Sequence, residues 1–213
     1  MRALLWLLVT GAFAALNFWA VSRADDRGED TVYSYDVLVS AALAYGLLAL
    51  VVYALTTGYD RRELLALRRP SSWGRSIGLA VGGVVAAVLG AAALLALTNA
   101  GDEQNLAPED WDGSRAGAYA ASFVAIVLIG PFVEELLYRG AGIGLLARYG
   151  TPVAIGVTAV MFGLGHGLLL SLPAFVWFGV ITGWLRVRTD SLYPAFVAHA
   201  LFNSFGMIAP LVV

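Results

Sequence analysis

The chain has no cysteine and no lysine, only two histidines, and charged residues make up 13% of it. Without cysteine, disulfides, thiolate nucleophiles and cysteine-ligated zinc are excluded. All thirteen basic residues are arginine, which reads as base bias in the gene rather than as function. The net charge is −2, and no basic patch suggests a nucleic-acid partner. Against this scarcity of charge stands a hydrophobic content of 60% and a mean hydropathy of +0.78. Soluble domains hold about 25% charged residues. An all-α, polytopic membrane protein is the class that satisfies every backbone polar group in such a chain.

Seven apolar runs are legible, at about 3–21, 37–57, 76–98, 116–147, 151–170 and 173–185 and from 191 to near the end. The first reads as an uncleaved anchor, because it is long and lacks a clear small-x-small exit. Arg61, Arg62, Arg68, Arg69 and Arg75 form the densest basic cluster, which the positive-inside rule puts in the cytoplasm. The segments between the first two runs and before residue 116 are acidic. The N-terminus is therefore expected inside and the C-terminus outside. Gly78 and Gly82 are placed for close helix contact, and Pro131 predicts a kink or break in the fourth span.

Glu134-Glu135-Leu136-Leu137-Tyr138-Arg139 lies within that fourth run. Ionisable groups at membrane depth cost several kcal/mol unless paired or put to use. Glu135 and Arg139 are four apart, acid first, so they share a helix face and are expected to pair. Glu134 points about 100° away and is left for another partner. The two histidines supply candidates. His166 follows Phe162 by four residues and is flanked by Gly165 and Gly167; His199 precedes Asn203 by four. The glycines leave room beside His166 for a neighbouring backbone or a substrate. If the chain turns near Gly150, Glu134 and His166 lie at one depth on antiparallel segments.

Glu-Glu-x-x-x-Arg, Phe-x-x-x-His and His-x-x-x-Asn, in that order on successive membrane segments, resemble the CPBP family of intramembrane proteases. That family includes the CAAX prenyl endopeptidases of the Ras-converting type and the bacterial Abi proteins. The resemblance covers roughly residues 116–209. It divides the chain into a three-span accessory region, 1–115, and a catalytic membrane domain, 116–213. It implies an endopeptidase in a prokaryotic cell membrane, acting on a membrane-associated protein or peptide, with its site open to the cytoplasm. In that reading Glu134 and His166 activate a water, while His199 and Asn203 stabilise the oxyanion. Glu135, Arg139 and Phe162 support them.

Metal-free hydrolysis is expected, since His-Glu-x-x-His is absent and Asn203 suits an oxyanion donor better than a ligand. If zinc were bound, Glu134, His166 and His199 would be its ligands. The competing class is a proton-coupled carrier using the same residues as a relay, or an inactive membrane partner using them for packing. Carriers show matching broken helices in two halves. Here the interiors of the first three spans hold no ionisable residue and the last four hold them all, which favours the enzyme.

Overall fold

A computed structural model describes residues 1–23, 31–100 and 111–211. The acidic segments expected outside, 24–30 and 101–110, fall beyond the described residues. The protein is an all-α, polytopic membrane fold, 84% helical with no strand among the described residues. Helix α1 is Arg2–Arg23, α2 Tyr35–Leu55, the short α3 Arg61–Leu64, and α4 Trp73–Thr98. Next comes one long helical run, Gly113–Tyr149. It contains α5 (Ala116–Phe123), α6 (Gly130–Glu134) and α7 (Ile143–Leu146), joined by π-helical turns at Val124–Ile129 and Glu135–Gly142. Helices α8 (Thr151–Leu164), α9 (Leu172–Thr189) and α10 (Tyr193–Ile208) complete the bundle. Helices α1, α2, α4 and the long run are each long and apolar enough to cross a membrane.

Local chemistry sets these boundaries. Ser34 and Ser72 accept backbone N–H groups at the starts of α2 and α4, as N-caps do. Asn99 ends α4 in the left-handed conformation. Gly150, at φ +95°, makes the turn into α8, where the sequence expected it. Helices α8, α9 and α10 each carry proline in their first turn, where no N–H is missed. Ahead of the long run, Asp112 accepts from Ser114 and Arg115. The Ser114 bond first, then Arg115, holds its carboxyl down to about 2.

Pro131 neither breaks nor ends the fourth span. The turn before it widens to π geometry over Val124–Ile129, which absorbs the missing N–H and the ring clash. Widened turns leave carbonyls turned outward, and neighbouring helices supply donors to them. Asn203 of α10 donates to the Ile126 carbonyl (2.9 Å). Trp6 of α1 donates to that of Leu137 (2.8 Å), and Arg186 of α9 to that of Arg139 (3.2 Å).

Glycine permits the closest approaches. A Cβ on Gly140 would stand 2.8 Å from Leu65, and one on Gly142 would stand 2.7 Å from both Thr158 and Trp6. On α4 the close contacts belong to Gly83, against Leu185, and Gly90, against Trp177. Gly78 and Gly82, expected to make them, face nothing within 4 Å; helical phase puts the α9 seam one residue further on.

Candidate active site

The second π-helical segment carries Glu135 and Arg139 into the bundle, and Glu134 ends α6 just before it. Glu135 and Arg139 are fully buried, and their charges meet at 3.3 Å, as the four-residue spacing predicts. Arg139 also donates to the Thr182 hydroxyl on α9, and its guanidinium lies 4.2 Å over the face of Phe162. Glu134 turns away from this pair, with a side chain 13% exposed.

His199 sits between the two acids. Its Nδ1 lies 2.9 Å from Glu135 Oε1 and its Nε2 lies 3.8 Å from Glu134 Oε2. The first is a hydrogen bond and the second is beyond hydrogen-bond length. An ionised carboxylate only accepts, so Nδ1 carries the proton and Nε2 faces Glu134. The same logic applies to His166, whose Nδ1 lies 2.9 Å from the Phe162 carbonyl. Nδ1 must donate, which leaves Nε2 as an acceptor in the neutral ring. His166 stacks on Phe175 at 3.9 Å between ring centres, 18° from parallel.

His166 was expected inside a span that runs to about residue 170. Helix α8 instead ends at Leu164, and His166 lies in the turn beyond it. Two glycines shape that turn. Gly167 has φ +70° and abuts the α1 backbone at Asn17; a Cβ on Gly165 would meet the Tyr138 hydroxyl at 2.6 Å. Neighbouring protein, rather than open space, occupies the room they create. Phe162 is buried at the centre of the cluster, edge-on to both His166 (4.7 Å) and His199 (5.7 Å).

Glu134, Glu135, Arg139, His199, Phe162 and Thr182 thus converge. His166 stands beside them, against Phe162 and Phe175. Asn203 faces another way for at least one of its N–H groups, which goes to Ile126. Among the described residues no three His, Asp or Glu side chains are grouped as a metal would need.

Three contributors were not legible in the sequence. The Tyr45 hydroxyl of α2 donates to Glu134 Oε1 at 2.8 Å. Asn17 of α1 donates to the Gly165 carbonyl at 2.6 Å, pinning the His166 turn. Thr182 is the partner of Arg139. A lone tyrosine, asparagine or threonine in an apolar helix carries no spacing signal.

Residues 116–205 match the family model described as type II CAAX prenyl endopeptidase Rce1-like. An 85-residue stretch is 28% identical to "Putative membrane peptidase YdiL" of Bacillus subtilis (strain 168). It covers 39% of this chain and 35% of that protein, so the chain spans about a third of the relative's length. No solved structure matches. The stretch of similarity to the Rce1-like family model, 116–205, contains all three motifs, Glu134 to Arg139, Phe162 to His166 and His199 to Asn203.

Proposed function

We propose that the protein is an intramembrane endopeptidase that hydrolyses a peptide bond of a membrane-associated substrate. The observation that carries this reading is His199, held by Glu135 at Nδ1 and presenting Nε2 to Glu134. A packing role needs one partner for a buried histidine, whereas this one is aimed at a second carboxylate that is itself partly accessible. The Rce1-like match and the membrane-peptidase relative support the same class.

In this mechanism Glu134 takes a proton from a water that also donates to the acceptor Nε2 of His166, and the resulting hydroxide attacks the scissile carbonyl. Glu134 then returns the proton to the leaving amine. His199 Nε2 is the proposed donor to the oxyanion. The second Asn203 N–H is the other donor. Glu135 and Arg139 orient His199, and Tyr45 orients Glu134. This reading is metal-free, in keeping with the absence of His-Glu-x-x-His from the sequence.

The arginine-bearing end of the bundle is assigned to the cytoplasm by the positive-inside rule, with the site opening on that side of a prokaryotic cell membrane. The first three spans serve as scaffold, and α1 and α2 reach into the site. The similarity to type II CAAX prenyl endopeptidases makes prenylated peptides the substrate class to try first. The test is cleavage of a fluorogenic farnesylated CAAX-type peptide, and its unprenylated counterpart, by protein in vesicles. E134Q is expected to lower kcat by about 10²-fold or more, with thermal stability retained. A fully active E134Q would sink the mechanism.

A further inference from the structure

Away from the Glu/His cluster, the loop between α3 and α4 forms a cavity of about 310 Å³. Arg62, Arg68, Arg69, Trp73 and Tyr193 line it. Arg68 is committed to Asp190, 2.5 Å away, which cancels one positive charge. Arg62 spends its Nε on the Leu67 carbonyl, and both Arg62 and Arg69 are exposed. Among the described residues neither forms an ion pair, so the cavity keeps two uncompensated guanidinium groups. Its walls are preformed. Ser191 donates to the Arg68 carbonyl at 2.6 Å and the Leu192 N–H to that of Ala66 at 2.9 Å. These bonds tie the loop to the turn between α9 and α10.

Trp73 also lines a second, wholly apolar hollow that continues between α4 and α10. Its walls include Ile77, Val81, Pro194, Val197 and Leu201. Ile77, Val81, Val197 and Leu201 are between 43% and 57% exposed, so this groove lies on the lipid-facing surface. A cationic cavity at the end of a membrane bundle, sharing Trp73 with a neighbouring apolar groove, has the polarity of one amphiphile. Guanidinium groups match a phosphate, tryptophan sits at headgroup level, and the groove runs in the direction of an acyl chain.

We propose that this cavity and groove together bind one anionic phospholipid, its phosphate on Arg62 and Arg69 and an acyl chain between α4 and α10. The site is separate from the proposed proteolytic centre, and its occupancy is independent of cleavage.

Quenching of Trp73 by brominated lipid tests this in the full chain. The protein is placed in phosphatidylcholine vesicles carrying increasing fractions of acyl-brominated phosphatidylglycerol or acyl-brominated phosphatidylcholine. Trp73's share of the fluorescence is the difference from W73F. Half-quenching is expected at about a fivefold or greater lower fraction of the anionic lipid, since each juxtamembrane arginine contributes about that factor. R62Q/R69Q should abolish the preference. R23Q, at the far end of α1, should keep it. Both substituted side chains are exposed, and W73F reports on the folded protein through its remaining tryptophans. Equal quenching by the two lipids, or a preference that survives R62Q/R69Q, would overturn the proposal. Millimolar inorganic phosphate should leave the quenching unchanged. Relief of quenching by phosphate would show an anion site without a lipid seat, and would equally overturn it.

Discussion

Glu134 is held on two sides by residues far apart in sequence, Tyr45 at 2.8 Å and His199 at 3.8 Å. The Tyr45 bond is charge-assisted when Glu134 is ionised, and such bonds contribute about 1.5–3 kcal/mol. Its role in the proposed reaction is positional, because the hydroxyl is committed to Glu134. Y45F is therefore expected to lower kcat about tenfold, at the low end of that range, with KM unchanged. A wild-type kcat in Y45F would remove Tyr45 from the site. Arg139 shows the complementary case. Its guanidinium is fully buried between Glu135, Thr182 and the Phe162 ring. Removing one member of such a pair strands a charge, at a cost of about 3–5 kcal/mol, so the arginine is structural as well as electrostatic.

At the scale of elements, the long helical run is distinguished by its two π-helical segments. A widened turn changes the helical phase of the side chains that follow it, so the segment at Val124–Ile129 sets the direction in which Glu134 and Glu135 face. Asn203, Trp6 and Arg186 each donate to a carbonyl within those turns, which offsets the lost α-helical bonds. Pro131 follows the first segment and prevents its closure as regular α-helix. P131A restores the N–H and lets the turn close. Cleavage is expected to fall by about tenfold or more, since a shift near 1 Å in a reacting group costs up to 10²-fold. The melting temperature should stay level or rise. A P131A protein that is less stable yet fully active would show that the widened turn is incidental to the site.

At the scale of the molecule, the run of 37 residues would be about 55 Å long as α-helix. That exceeds the roughly 30 Å hydrocarbon core, so it tilts or emerges from the bilayer. Helices α1 and α2 wrap its central part, with Trp6, Asn17 and Tyr45 all bonded to the second half of the chain. The proposed division at residue 115 is thus a division of chemistry rather than of packing. Residues 116–213 produced alone are expected to lack cleavage, and co-production with residues 1–115 should restore it. Cleavage by the 116–213 fragment alone would show that α1 and α2 are dispensable.

The sequence by itself determined the all-α membrane class, because 60% hydrophobic content leaves few other ways to satisfy a backbone in lipid. It also determined the Glu135–Arg139 pair and the turn at Gly150, which depend on helical spacing and local conformation alone. The acids and histidines were legible as candidates because ionisable side chains are rare in apolar helices. Only the tertiary structure decided which imidazole each acid meets. It put His199, rather than His166, between the two carboxylates, ended α8 short of His166, and turned an Asn203 N–H to Ile126. The physical reason is phase. Helix rotation depends on which turns widen and which neighbours donate to them, and those donors lie up to 131 residues away in sequence.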